Sequence, residues 1–102
     1  MLKISVIIPA HNEERYIAKT LQSVHQQDFS DYEIIVVANA CTDKTTEIAA
    51  KYTKVYATKR KGVSLAKNIG MAKAKGEILV FLDADTTLAK NCLSEISKKF
   101  TP

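Results

Sequence analysis

The stretch Ile78-Leu79-Val80-Phe81-Leu82-Asp83-Ala84-Asp85 is an apolar run that ends in two carboxylates separated by one residue. It predicts a buried strand that delivers both acidic side chains to its carboxyl end. Two like charges held close together cost free energy unless a cation or ordered hydrogen-bond donors offset their repulsion and desolvation. A divalent ion such as Mg²⁺ or Mn²⁺, shared with the phosphates of a ligand, satisfies such a pair. We therefore predict that Asp83 and Asp85 are metal ligands.

The length and composition indicate one folded domain spanning residues 1–102. The chain has 102 residues, of which 46% are hydrophobic, as is usual for a globular protein with a single core. No apolar run approaches the ~20 residues that a membrane span needs, and no signal-peptide pattern is present at the N-terminus. We expect a cytoplasmic, unprocessed protein. The two cysteines, Cys41 and Cys92, lack metal-ligand spacing, so neither a zinc site nor a disulfide framework is expected.

The net charge is basic, at +4 with a pI near 9.1. This charge favours anionic partners such as nucleotides, nucleic acid or acidic membranes. The sequence contains no ladder of aromatic residues and no recognised nucleic-acid motif. We therefore expect no nucleic-acid partner.

Predicted strands and helices alternate along the chain. Strands are predicted over residues 4–8, ended by Pro9, and over residues 33–37, 54–57 and 77–82. Four helices follow these strands: one capped by Asn12 with Ile17, Leu21 and Val24; one from Thr42 or Asp43 with Ile48 and Tyr52; one with Leu65, Ile69 and Ala72 ended by Gly76; and one with Leu93, Ile96 and Phe100. The alternation predicts an α/β fold, a Rossmann-like, mostly parallel sheet with helices on both faces.

Polar residues follow each predicted strand, at residues 10–13, 39–43, 59–61 and 83–85. Ligands of parallel sheets bind at the carboxyl ends of the strands. The four loops are therefore predicted to form one binding rim.

Several rim residues have two interpretations. The loop 39–43 offers backbone N–H groups to a base, ribose or phosphate, but Thr42 or Asp43 could simply cap a helix. Capping is the favoured account of Asn12, and a first-turn dipole contact is that of Glu13. Lys67 is favoured as a partner of a diphosphate, whereas Lys59 and Lys61 are expected to be solvated surface residues.

The segment from Asp83 to Thr87 also matches the D-x-D-x-T nucleophile loop of haloacid-dehalogenase-type phosphatases. Its position near the end of the chain argues against that interpretation, because the phosphatase motif follows an early strand. An EF-hand loop is also a poor match for this segment.

Four segments together resemble the nucleotide-sugar-binding half of family 2 glycosyltransferases with the GT-A fold. They are Val6-Ile7-Ile8-Pro9-Ala10-His11-Asn12-Glu13-Glu14, Thr42-Asp43-Lys44-Thr45, Ala66-Lys67-Asn68-Ile69-Gly70 and Phe81-Leu82-Asp83-Ala84-Asp85. The resemblance covers nearly the whole chain. It implies sugar transfer from a UDP- or GDP-linked donor to an acceptor, with inversion at the anomeric carbon and with Mg²⁺ or Mn²⁺ as the cofactor.

The resemblance also implies roles for individual residues. Pro9, Ala10 and Glu13 match positions near the nucleoside, and Asn39 stands where the family usually has an Asp that reads the base. Lys67 stands where an Arg is more typical near the diphosphate. The last two of the matched positions, Asp83 and Asp85, correspond to the metal-binding D-x-D motif.

Two departures from the family pattern affect these expectations. The second loop often reads D-D-G-S-x-D, whereas this chain has Ala38-Asn39-Ala40-Cys41-Thr42-Asp43. Family members also continue past the D-x-D into a segment with the acceptor site and catalytic base, whereas Glu95 is the only acidic residue here after Asp85. We therefore expect a truncated GT-A half that binds the donor and is inactive alone, with the catalytic base unknown.

A second hypothesis is a structural or oligomerisation module with a vestigial donor site. The strand over residues 77–82 would lie at the sheet edge, where unpaired backbone groups favour association. This hypothesis predicts a homo-oligomer through that edge. The resemblance also implies peripheral membrane association in a longer protein, although no motif of this sequence shows membrane contact.

Overall fold

A four-stranded sheet forms the centre of the molecule. The structure is a computed structural model that describes residues 2–100. The strands are β1 (Ile4–Ala10), β2 (Tyr32–Asn39), β3 (Val55–Thr58) and β4 (Ile78–Phe81), and the helices are α1 (Ile17–His25), α2 (Thr45–Ala49), α3 (Val63–Lys73) and α4 (Cys92–Lys99). The strand order is β3-β2-β1-β4, and all neighbours are parallel. The α/β prediction is confirmed.

Helices cover both faces of the sheet, as predicted. Ile4, Val6 and Ile8 of β1 belong to a buried cluster with residues of α1, α2 and α4. Ile7 faces the other side, where it packs with Ala66 of α3. Fully burying each such aliphatic side chain contributes about 1.5–3 kcal/mol. The central strand β1 is therefore the main hydrophobic anchor of the fold.

The strand β1 continues through Pro9 to Ala10 instead of ending at Pro9. Pairing with β4 ends at Ile7, which lies opposite Phe81, and the Ile7 carbonyl accepts the Leu82 N–H at 2.9 Å. The N–H and C=O groups of successive residues in a strand point to opposite sides of that strand. Pro9, which lacks an N–H, therefore faces the same side as Ile7, beyond the last residue pair between β1 and β4. Proline therefore removes no bond from the sheet at this position.

The contact between α3 and the sheet is made by small residues. Ala66 and Gly70 are buried, whereas Ala72, one of the apolar positions from which this helix was predicted, is exposed. A Cβ atom added at Gly70 would lie 2.4 Å from Cγ2 of Ile7. The helix approaches β1 so closely that residue size, and not only hydrophobicity, selects its buried face.

Two further apolar positions differ from the predicted helix faces. Tyr52 lies beyond the end of α2 but still packs against the core around β1. Phe100 follows α4 and is 63% exposed. The last helix therefore buries Leu93 and partly Ile96, but not Phe100.

Gly76 was predicted to end the third helix, but its role is different. The helix α3 already ends at Lys73, and Ala74 is extended. Among the glycines of this chain, positive φ occurs at Gly62. A Cβ atom at Gly76 would lie 2.6 Å from the backbone nitrogen of Ser5, whose hydroxyl accepts the Gly76 N–H at 2.8 Å. Gly76 is thus needed for close passage against β1.

The strand β4 occupies one edge of the sheet, as predicted. Leu79 is 39% exposed and Phe81 is 43% exposed. Both side chains stand on the face that α3 covers, since they lie opposite Ser5 and Ile7 in the register. No helix within residues 2–100 combines the length and apolarity that crossing a bilayer requires.

We expect Gly76→Ala to lower the free energy of unfolding by about 1–3 kcal/mol, because the added methyl group meets the backbone of β1. Urea denaturation measures this change. Lys75→Ala alters an exposed neighbouring side chain and should stay within about 0.5 kcal/mol of the parent. Equal denaturation midpoints for the two variants would contradict the packing role of Gly76.

Candidate functional site

The two carboxylates after β4 project from a well-anchored turn. Leu82 and Ala84 are buried, whereas Asp83 and Asp85 are exposed. The Thr86 N–H donates to the Asp83 carbonyl at 3.1 Å. The alternation of buried and exposed residues fixes the backbone and leaves both carboxylates directed outward.

Polar residues of α1 hold the segment that carries these carboxylates. The Thr20 hydroxyl donates to the Ala84 carbonyl at 2.9 Å, and Ser23 Oγ accepts the Leu88 N–H at 3.0 Å. The side chain of Gln27 donates to the Ala89 carbonyl at 2.7 Å and accepts the Leu93 N–H at 2.9 Å. Sequence reasoning missed these residues. Their polar spacing at positions 20, 23 and 27, beside the apolar stripe of α1, was the available signal.

Glu13, in the loop after β1, lies within the electrostatic reach of the same carboxylates. Burial is the largest cause that raises the pKa of Glu13 above its ordinary value of 4.5. The negative charges of Asp85, Asp43 and Asp83 raise it further. Loops that follow three different strands therefore bring acidic groups to one region of the rim.

Asn12 joins the first loop to the second. Its Oδ1 accepts the N–H groups of Thr42 at 2.8 Å and Asp43 at 3.3 Å, and its Nδ2 donates to the Thr42 hydroxyl at 3.2 Å. The prediction that Asn12 caps α1 is wrong, because α1 begins at Ile17. Asn12 has a φ of 52°, a left-handed conformation that asparagine tolerates better than most residues.

Asp43 organises the start of α2. Its carboxylate accepts the Thr45 N–H at 2.9 Å and the Thr45 hydroxyl at 2.5 Å, and it also accepts the Glu14 N–H at 3.2 Å. Burial opposes ionisation, but these hydrogen bonds outweigh it and lower the pKa of Asp43 below its ordinary value of 3.8. Of the two capping candidates, Asp43 serves the helix, whereas Thr42 bonds to Asn12.

Asn39, at the end of β2, is 3% exposed. Its Oδ1 atom is buried without a hydrogen-bond partner among the described residues. Its backbone oxygen instead pairs with Nδ1 of His11 at 2.7 Å. A buried acceptor without a partner is uncommon and costs free energy. A donor group on a ligand would relieve that cost.

The other predicted residues lie on or beside the same rim. The side chain of Ala10 is buried in the core, so only its backbone is available to a ligand. Pro9 is half-buried in the preceding position. The exposed Lys67 of α3 places its Nζ 5.6 Å from the centre of the Phe81 ring, at the end of β4. Lys59 and Lys61 are exposed, in agreement with their expected solvated state.

The residues present fit a divalent cation that is shared with a ligand. Within residues 2–100, no group of three His, Cys, Asp or Glu side chains is arranged to hold a metal by itself. Asp83 and Asp85 supply carboxylate oxygens, which Mg²⁺ and Mn²⁺ prefer, and the remaining positions would be filled by phosphate oxygens and water. Carboxylates alone would repel a diphosphate, so a cation is needed for both to occupy this rim.

Comparisons with known proteins agree with this geometry. The sequence profile described as Glycosyl transferase family 2 matches residues 5–101. The chain is 34% identical, over 104 residues, to the poly(ribitol-phosphate) beta-N-acetylglucosaminyltransferase TarS of Staphylococcus aureus, covering 93% of this chain and 18% of TarS. The chain therefore spans less than a fifth of the length of that relative.

Two solved structures are similar to this fold. The structure of S. aureus TarS 1–349 in complex with UDP-GlcNAc has a TM-score of 0.90 and 33% identity, covering 95% of this chain and 30% of that one. The mannosyltransferase PcManGT from Pyrobaculum calidifontis, in complex with GDP-Man and Mn²⁺, has a TM-score of 0.89 and 28% identity. The match covers 98% of this chain and 33% of that one.

The fold and the matches define the nucleotide-binding half of a GT-A glycosyltransferase. The chain belongs to glycosyl transferase family 2. The family resemblance found in the sequence is confirmed.

The lowered pKa of Asp43 gives a pH-dependent stability. The ionised carboxylate stabilises the fold fully at pH values above its ordinary pKa of 3.8. This contribution is lost as the pH falls through the lower pKa of the folded state. Asp43→Asn should therefore reduce the free energy of unfolding by about 1 kcal/mol at neutral pH, and the difference from the parent should shrink in acid. Denaturation across a pH series measures it.

Glu77→Gln is the matched control, because it removes the charge of an exposed acid that precedes β4. It should change the free energy of unfolding by less than about 0.5 kcal/mol at neutral pH. A difference between the parent and Asp43→Asn that stays constant from neutral to acid pH would contradict the role of the ionised carboxylate.

Proposed function

We propose that this chain binds a UDP- or GDP-linked sugar together with Mg²⁺ or Mn²⁺ at the carboxyl ends of its strands, for inverting sugar transfer. The observation that carries the proposal is that two loops converge at the same edge of the sheet. Asp83 and Asp85 follow β4, Glu13 follows β1, and the charges of the two aspartates raise the pKa of Glu13. Family membership supports it, as do the nucleotide sugars and Mn²⁺ bound by the similar structures.

The base and the diphosphate would be held by different residues. We propose that the unpartnered Oδ1 of Asn39 accepts a hydrogen bond from an N–H group on the edge of the base. The backbone of Pro9 and Ala10 would border the nucleoside. Lys67 would place its ammonium group beside the diphosphate, where its charge offsets that of the phosphates.

Asp83 and Asp85 would hold the cation. When bound, it neutralises the negative charge that develops on the departing diphosphate. Glu13 would remain near this charge without being a ligand, and its carboxylate would shape the local field. In the transfer step, an acceptor hydroxyl oxygen forms a bond to the anomeric carbon, the bond from that carbon to the diphosphate breaks, and a base accepts the hydroxyl proton.

We expect these 102 residues to support little transfer by themselves. The acidic residue that follows Asp85 in the chain is Glu95 of α4, which is exposed and forms an ion pair with Lys98 at 3.4 Å. The helix α4 starts beside Gln27 and Asp28, which precede the amino end of β2, so Glu95 lies away from the rim. Efficient sugar transfer by this chain to an added acceptor would contradict the expectation.

Calorimetric titration with UDP and with GDP, each with and without Mn²⁺, tests the proposal. We expect metal-dependent binding of one nucleotide, and Asp83→Asn with Asp85→Asn should weaken it about 100-fold, since two charge-assisted contacts are lost. Asp28→Asn with Asp31→Asn removes the same charge from exposed positions outside the rim and should leave the affinity unchanged.

Nucleotide binding that does not depend on the metal would refute the assignment of the metal ligands. An affinity that falls equally in both double variants would refute it as well. Absence of binding to a folded protein would instead favour the oligomerisation module, for which the exposed Leu79 and Phe81 at the β4 edge are the supporting observation. Light scattering on the same samples then distinguishes an oligomer from a monomer. Phosphate release from an aryl phosphate, lost in Asp83→Asn, would favour the phosphatase alternative.

Asn39→Leu separates binding from stability at the base position. Nucleotide affinity should fall about tenfold, because the acceptor is lost. The free energy of unfolding should stay the same or rise, because an unsatisfied buried polar group is replaced by an apolar one of similar size. Titration and urea denaturation measure the two effects.

Gln26→Leu, which changes an exposed amide just after α1, should preserve nucleotide affinity. If Asn39→Leu unfolds the protein or retains full affinity, Asn39 has a structural role and does not read the base.

A further inference from the structure

The charge of this chain is concentrated in one segment. Residues 48–76 contain eight basic residues and no Asp or Glu, which gives a net charge of +8, whereas the remainder of the chain carries −4. The eight are Lys51, Lys54, Lys59, Arg60, Lys61, Lys67, Lys73 and Lys75. All eight side chains are exposed. A modest overall charge therefore conceals a strongly basic part of the surface.

From residue 54 onward this segment builds one side of the molecule, whereas Lys51 follows α2 on the opposite face. It contains β3, the loop 59–61 and α3, and we call their joint outer surface the basic face. Within residues 2–100, α3 is the single helix on its face of the sheet, since α1, α2 and α4 pack on the opposite face. The basic face is therefore not covered by another described element.

Ring contacts hold lysines of different elements together on this face. The Nζ atoms of Lys54 and Lys73 lie 5.2 Å and 5.3 Å from the centre of the Tyr56 ring. Lys54 immediately precedes β3 and Lys73 ends α3, so the half-buried Tyr56 joins the two elements. Lys54 and Lys73 are thus brought together, and the Tyr56 ring is already occupied by their two ammonium groups.

Exposed apolar side chains lie among these charges. Val63 is 61% exposed and Met71 is 40% exposed. Together with Lys67 they follow a four-residue spacing along α3, which places the three side chains on one stripe of the helix. A surface that combines lysines with protruding apolar groups suits the interface of a membrane, where the charges meet headgroups and the apolar groups enter the boundary.

Acidic groups of the sheet lie at the amino-terminal border of the basic face. Glu33 and Glu77 stand at the amino ends of β2 and β4. The carboxylate of Glu33 accepts the Ser5 hydroxyl at 2.5 Å and the backbone N–H of Lys75 at 2.6 Å, so its negative charge offsets part of the basic charge at that border. The carboxylates of the binding rim follow the opposite, carboxyl ends of the strands.

We propose that the basic face docks on a lipid surface rich in anionic headgroups. Nucleic acid is the weaker fit, because seven of the eight basic residues are lysines and one is arginine, whereas nucleic-acid recognition favours Arg forks and free aromatic rings for stacking. Clustered lysines bind anionic lipids through charge alone and need no specific geometry. The loop 59–61 belongs to both the face and the rim, so docking holds the donor site at the edge of the membrane.

Sedimentation with vesicles tests the proposal. The chain should bind vesicles of phosphatidylglycerol and phosphatidylcholine, and it should not bind vesicles of phosphatidylcholine alone. Raising the salt concentration should release it, because the charges are exposed and screened. These measurements require neither nucleotide nor metal, so their result is independent of donor binding.

A triple variant identifies the face. Lys54→Gln, Lys73→Gln and Lys75→Gln together should weaken vesicle binding about 100-fold, at roughly fivefold for each charge near the surface. The control combines Lys19→Gln, Lys90→Gln and Lys99→Gln, three exposed lysines of α1, the loop before α4 and the end of α4. It has the same net charge and should bind within a few-fold of the parent. Circular dichroism verifies the fold of both.

Several outcomes would overturn the proposal. Equal losses of vesicle affinity in the two triple variants would mean that net charge alone drives the association. If the parent does not bind vesicles, the basic face is not a docking surface. Tighter binding to a single-stranded oligonucleotide than to vesicles, lost in the first variant alone, would assign the face to nucleic acid. If the first variant fails to fold, Met71→Gln should still weaken vesicle binding, and an unchanged affinity would count against docking.

Discussion

The fold depends on the burial of β1 on both faces and on both edges. Ile4, Val6 and Ile8 supply one core and Ile7 supplies the other, while β2 and β4 pair on either side. Because β1 is parallel to both neighbours, its carboxyl end lies at the same edge of the sheet as theirs. The polar residues that follow it are therefore delivered to the same rim as those that follow β2 and β4, and this constraint builds the candidate site.

The rim is held together by hydrogen bonds between polar side chains and the backbone of neighbouring loops. Asn12 and Asp43 link the first loop to the second, and Thr20 fixes the backbone between the two D-x-D carboxylates. These bonds place Asp83, Asp85 and Glu13 near one another without mutual compensation. The structure thus holds like charges close together, and the hydrogen bonds made by Asn12, Asp43 and Thr20 hold the loops in place against this repulsion.

Charge also divides the molecule into regions of opposite character. Carboxylates gather at the carboxyl ends of the strands, whereas residues 48–76 are basic throughout. The two regions meet at the loop 59–61. Because opposite charges are separated and not interleaved, the surface has an acidic rim beside a basic face.

The sequence by itself determined the α/β alternation, the sheet edge and the family, because these follow from periodic hydrophobicity and short motifs that are local in the chain. It misassigned Asn12 and Gly76, whose roles depend on contacts with distant segments. The local sequence alone does not distinguish a helix cap, a core position or a helix stop from other roles. Only the tertiary structure brought Thr20 to the D-x-D turn and left Asn39 Oδ1 without a partner, because both depend on which backbones pack together.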